Sequence, residues 1–142
     1  MTCTFFGHRD APAKIKPILK NVIVDLIENK NVNFFYIGSN GAFDRMAREL
    51  LKELKNTYKI NYCVALAYIP KRQMGDDYTD TIYYDELNTV PYRLRIIERN
   101  KLMLEKSDIV VTYVAKIIGN AANFKALAER KGKTVINISL NM

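Results

Sequence analysis

The stretch "CTFFGHRDAPAKIKPILKNVIVDLIENKNVNFFYIG", Cys3–Gly38, holds one full turn of the pattern that decides the fold. A short apolar run, Cys3–Phe6, stops at Gly7 and reads as a buried strand. Lys14–Glu28 follows, with Ile15, Ile18, Leu19, Val22, Ile23, Leu26 and Ile27 at alternating steps of three and one, which is one face of a helix. Asp10 is placed to cap that helix, and Pro12 stands where a first-turn proline is tolerated. After the polar turn "NKNVN", the run "FFYIG" at Phe34–Gly38 reads as a second buried strand.

Outward from this unit the cycle repeats. Gly41–Lys55 reads as an amphipathic helix, with Phe43, Met46, Ala47, Leu50, Leu51 and Leu54 on one face. Ile60–Tyr68 is a third strand. Residues from Pro70 to Thr89 have no sustained period and read as a long loop, a feature that tends to be functional or mobile. Then come a helix at Pro91–Lys106, a strand at Asp108–Val114, a helix at Ala121–Lys131 ended by Gly132, and a strand at Thr134–Ile138. Strands that are apolar throughout and alternate with helices imply a parallel sheet covered on both faces. The expectation is one α/β domain over residues 1–142, Rossmann-like and doubly wound. Its mainly parallel sheet would have five strands in the order 3-2-1-4-5.

Of the 142 residues, 49% are hydrophobic and 26% charged, an ordinary globular composition. No apolar run reaches the roughly 18 residues of a membrane-spanning helix. The opening "MTCTFFGHRD" lacks the basic flank and apolar stretch of a signal peptide, so a cytoplasmic protein without membrane association is expected. Cys3 and Cys63 lie in strand-like runs and read as buried free thiols. With one histidine and no Cys-x-x-Cys, neither a metal nor another cofactor is expected. The formal charge of +7 favours phosphate-bearing ligands or weak attraction to nucleic acid, although dispersed lysines and arginines also suit a plain solvated surface.

In such a sheet, ligands bind beyond the carboxyl ends of the strands, where the strand order reverses. The segments "GHRD", "GSNGAFD" and "AKIIGNAAN" would meet there. Gly7 permits a sharp turn and close approach, and His8 and Arg9 then project beside a helix amino terminus, which attracts anions. The plainer alternative makes His8 a surface residue. Gly38, Ser39, Asn40 and Gly41 form a small-residue turn whose backbone N–H groups can cradle a phosphate. It is neither a Walker A loop nor the usual dinucleotide fingerprint. Asp44 suits a ribose hydroxyl or simply the helix dipole. Gly119, Asn120 and Ala121 allow close approach at another helix start, with Asn120 alternatively an N-cap. Arg99 reads either as an anion clamp or as a solvated helix arginine. Tyr78, Tyr83 and Tyr84 would stack on a base or pack the long loop down.

Four pieces taken together, "FFGHRD", "FYIGSNGAFDRMA", "RNKLMLEKSDIVVTYV" and "GNAANFKALAERKGKTVINI", resemble the YpsA-like branch of the SLOG superfamily, over nearly the whole chain. That superfamily includes LOG-type nucleotide phosphoribohydrolases and the DNA-processing protein DprA. The resemblance implies a Rossmann-like fold and a site for nucleotides or nucleotide-derived ligands. It matches Gly7 and Arg9 to the opening motif, Gly38, Gly41 and Asp44 to the glycine-rich second turn, Arg99 to the arginine before the fourth strand, and Gly119 and Ala121 to a phosphate-facing turn. LOG-type hydrolases carry Pro-Gly-Gly-x-Gly-Thr and then a catalytic glutamate, whereas this chain reads "IIGNAANFKALAE". The glutamate position falls on Lys125 or Ala126, with Glu129 about a turn late, so binding is better supported than hydrolysis.

Three readings follow. The first is a non-catalytic or weakly catalytic nucleotide-binding module, such as a sensor of a nucleotide signal. The second is a nucleotide N-glycosidase using His8, the one catalytic candidate in the strand-end motifs, or a loop carboxylate, Asp76 or Asp77. The third is a DprA-like nucleic-acid binder. The acidic loop residues Asp76, Asp77, Asp80, Asp85 and Glu86 would repel a polyphosphate chain, so weak, non-specific nucleic-acid binding is expected. Relatives commonly pair through helices flanking the sheet. The cluster Leu94, Ile96, Ile97, Leu102, Met103 and Leu104 marks the Pro91–Lys106 helix as the surface for a homodimer.

Overall fold

Strand β1, Thr2–Gly7, sends Cys3 and Phe5 to one face of the sheet and Phe6 to the other, and both faces are dry. That single alternation calls for helices on two sides. A computed structural model describes residues 1–69 and 79–141. On the Phe5 side lie α1, Lys16–Asn29, entered through a 3₁₀ turn at Ala13–Ile15, and α2, Ala42–Leu54. Buried Leu19, Ile23 and Leu26 of α1 and Phe43, Ala47, Leu50 and Leu51 of α2 meet Phe35 and Ile37 of β2, Phe34–Ile37. Full burial of each such side chain contributes about 1.5–3 kcal/mol. On the Phe6 side, Met103 and Leu104 of α3, Arg95–Glu105, and Phe124 and Ala128 of α4, Asn120–Arg130, form the second core.

Among the described residues the sheet has six strands, all in parallel pairs. The remaining four are β3, Asn61–Leu66, β4, Thr81–Tyr83, β5, Ile109–Tyr113, and β6, Thr134–Asn137. Their order is β4-β3-β2-β1-β5-β6. This corrects the expected five strands in the order 3-2-1-4-5. The extra edge strand comes from the segment expected to be an unstructured loop, which also forms a 3₁₀ turn at Asp85–Thr89. β4 docks because Asp80 before it accepts Arg48 Nη2 and Nε at 2.6 and 2.9 Å and the Tyr62 hydroxyl at 2.8 Å. The fold is Rossmann-like α/β. The chain leaves β1 toward β2 and leaves β5 toward β6, so a crevice opens between the β1 and β5 exits.

Other expectations change in detail. Asp10 does not cap α1; it pairs with Lys116 at 3.0 Å, and Pro12 precedes the 3₁₀ turn. Cys3 and Cys63 are buried free thiols, as the sequence suggested, and burial pushes the Cys63 thiol up to about 12. On α3, Met103 and Leu104 belong to the chain's own core, and Ile97 packs against it. The apolar face left for a partner is therefore narrower than the sequence implied. Among the described residues no helix is long and apolar enough to cross a membrane.

Candidate functional site

Three strand exits build the site. Gly7 ends β1, and a Cβ there would stand 2.3 Å from the Phe43 ring, so only hydrogen fits. His8 follows, buried, its ring edge-on to Tyr113. Its backbone N–H donates to Tyr113 O at 3.2 Å. Its Nε2 accepts the backbone N–H of Ala115 at 3.0 Å and of Lys116 at 3.1 Å. Burial lowers its pKa from 6.5, nearby Lys116 lowers it further, and Asp10 opposes them. His8 is thus neutral at pH 7, with its proton on Nδ1. The Nε2 lone pair that a general base would use is already engaged, and the ring ties the β1 exit to the β5 exit.

Arg9 lies across the second turn. Its carbonyl accepts the Ala42 N–H at 2.9 Å. A Cβ on Gly41 would come within 2.7 Å of Arg9 Cα, and Gly41 has φ +96°, so close approach and backbone conformation both require glycine there. The Arg9 side chain is exposed.

Beneath that turn sits Arg99, the most buried charge among the described residues, only 2% exposed. This removes the solvated alternative for it. Its Nη1 donates to Asn40 Oδ1 at 2.9 Å and Ala65 O at 3.2 Å, with Ser39 Oγ at 3.4 Å. Its Nε and Nη2 donate to Asn100 Oδ1 at 3.1 and 3.0 Å. Asp44 lies alongside, its Oδ2 accepting the Asn40 N–H at 3.0 Å. Desolvation pushes the Asp44 carboxyl up to about 6, against the Asn40 hydrogen bond and the Arg99 charge. Gly38 makes room for both groups: its Cβ would lie 2.7 Å from Asp44 Oδ2 and 3.0 Å from Arg99 Nη2.

The third exit carries Lys116, Ile117 and Ile118, the isoleucines 94% and 81% exposed. Gly119, at φ +116°, is the N-cap of α4 and supplies no side-chain cap, so Asn120 opens the helix rather than capping it. The first-turn N–H groups of α4 therefore lack a side-chain acceptor, which favours an anion there.

A cleft of about 280 Å³ lies among these exits, lined by Gly7, His8, Arg9, Asn40, Asp44, Arg99, Gly119, Asn120 and Ala121. Gly38, Ser39 and Gly41 instead line a neighbouring hollow, which shares Arg9 and Asp44 with the cleft. Sequence reasoning missed Asn100, Lys116, Ile96 and Ile118 in the cleft wall. Asn100 adjoins Arg99 in "ERN" and Lys116 stands in the β5 exit, so adjacency was the available signal.

Several candidates lie elsewhere. Tyr83 donates to Asn88 Oδ1 at 3.1 Å, and Tyr84 packs on the second core; neither lines the cleft. Asp76, Asp77 and Tyr78 fall outside the described residues. Glu129 pairs with Lys125 at 3.0 Å beside a separate groove. Among the described residues no group of three His, Cys, Asp or Glu is placed to hold a metal ion. No protein-family model and no curated protein matches the chain.

Proposed function

We propose that the cleft binds a compact nucleotide or nucleotide-derived ligand through its phosphate and ribose, and that the chain acts as a binding or sensor module. One observation carries this reading: the uncapped amino terminus of α4, the exposed Arg9, the buried Arg99 and the Asp44 carboxyl near it all border one cleft at the β1/β5 crevice. The helix terminus and Arg9 suit a phosphate, and Asp44 with Asn100 suits hydroxyls. On this reading the chain is a YpsA-like member of the SLOG superfamily, forms a homodimer through what α3 leaves exposed, and binds nucleic acid only weakly and without sequence preference.

A second reading, nucleotide N-glycosidase, is favoured by Asp44, a cleft carboxyl held near 6 and so able to give or take a proton near neutral pH. A thermal-shift screen of nucleotides and sugar phosphates tests both readings. Stabilisation that Arg9→Ala abolishes supports binding; release of free base from a hit, lost in Asp44→Asn, supports hydrolysis. Equal responses of wild type and Arg9→Ala to every compound would sink the cleft assignment.

A further inference from the structure

We infer that the site has two lobes and takes a ligand with two separated phosphoryl groups, one on each side of Arg9. This deepens the nucleotide reading above and rests on it. The second lobe is the hollow of about 470 Å³ beside the β2–α2 turn, where Arg9, Arg45 and Arg48 line one space. Neither Arg45, although it lies within "FYIGSNGAFDRMA", nor Arg48 was singled out from the sequence.

Arg9 stands between the lobes for a backbone reason. Its carbonyl is fixed by the Ala42 N–H, and its Cα rests against Gly41, so its side chain starts from a ridge bordered by both spaces. The lobes are unlike. The first adds the α4 terminus, Asn100 and the buried Arg99, with room for a sugar. The second is lined by Arg9, Arg45 and Arg48, together with the Asp44 carboxyl that it shares with the first. Arg48 is anchored by Asp80, which sets its position while offsetting part of its charge. The nearest acid on the outer face of α2, Glu49, is engaged by Lys16 at 2.7 Å, and Arg45 takes no ion pair among the described residues. Guanidinium forks match tetrahedral, doubly charged oxyanions; Asp80 occupies the Nε and Nη2 of Arg48, so Arg45 is the fork that this wall adds to Arg9, beyond what one phosphate in the first lobe uses. A single nucleoside carrying phosphates at two positions of its ribose has this character.

The test is calorimetric titration of the whole chain with the 5′-monophosphate and the 3′,5′-bisphosphate of each of the four common ribonucleosides. The expected result is at least tenfold tighter binding of one bisphosphate over its monophosphate. Arg45→Ala should shrink that ratio to below threefold. Lys52→Ala, which removes one positive charge from the exposed side of α2 away from the hollow, should keep it. Circular dichroism of both variants checks that they fold. Monophosphate binding with no gain for any bisphosphate, or a ratio reduced equally by Arg45→Ala and Lys52→Ala, overturns the second lobe and leaves the nucleotide reading standing. Binding of neither ligand class overturns that reading as well. An oligothymidylate that binds more tightly than every bisphosphate replaces the small ligand with a nucleic-acid strand and also overturns the inference.

Discussion

Replacing Arg99 by methionine keeps most of the buried stem and deletes the charge. Four acceptors then lose this donor: Asn100 Oδ1, Asn40 Oδ1, Ala65 O and, at the longest distance, Ser39 Oγ. Each hydrogen bond to a charged group contributes about 1.5–3 kcal/mol, but bonds from one guanidinium do not add. Asp44 also loses a nearby cation, and each buried acceptor left without its donor costs about 1–3 kcal/mol. The expected loss is therefore about 3–5 kcal/mol, a fifth or more of the roughly 5–15 kcal/mol typical of a domain. At about 4 °C per kcal/mol for a chain of this size, the melting temperature should fall by about 12–20 °C. Urea unfolding with an unchanged m value gives the free energy, and scanning calorimetry gives the midpoint. The double variant Arg99→Met/Asp44→Asn should be more stable than the sum of the single losses implies, by at least 0.5 kcal/mol, because the orphaned carboxylate is gone. A single-variant loss below 1 kcal/mol, or strict additivity, would show that the pair does not hold the cleft wall together.

Gly7→Ala should cost about 1–3 kcal/mol by overpacking against Phe43, and Phe43→Leu in the same chain should recover part of it, as read by urea midpoints. For His8, burial lowers the folded pKa below its unfolded value of 6.5, so the unfolded chain binds more protons as the solution becomes acidic. Its contribution is complete above pH 6.5 and declines as the pH falls through the folded pKa. Stability measured from pH 7 to pH 5 should thus drop more in wild type than in His8→Gln, and parallel profiles would remove His8 as the tie between the two exits. Affinity for single-stranded DNA at physiological salt should be weaker than about 10⁻⁷ M and fall steeply as salt rises. Tighter binding, by anisotropy titration, would favour a nucleic-acid function.

The central strands were readable because each is apolar throughout, as a sheet buried on both faces demands. β4 was not. Its three residues, "TIY", are too few to show a period, and tertiary bonds from Arg48 and Tyr62 to Asp80 fix it. The glycines of the site were readable as turns, but their reasons were not: Gly7 answers to Phe43, and Gly38 to Asp44 and Arg99. Arg99 shows the same limit. A charged residue on a helix reads equally well as solvated, and its partners Asn40 and Ala65 lie 59 and 34 positions away. His8 was found by its place after β1. Its hydrogen bonds to Ala115 and Lys116 span 107 and 108 positions, and no local pattern carries that information.

The most direct test of the account is a two-dimensional amide NMR titration of the chain with the nucleotide that gives the largest thermal shift. Nucleotide binding in the cleft should move the amide signals of Gly7–Asp10, Asn40–Gly41 and Gly119–Ala121 together, with one common dissociation constant. Shifts confined to other surfaces, or different constants for the three segments, would contradict a single ligand site at the crevice between β1 and β5.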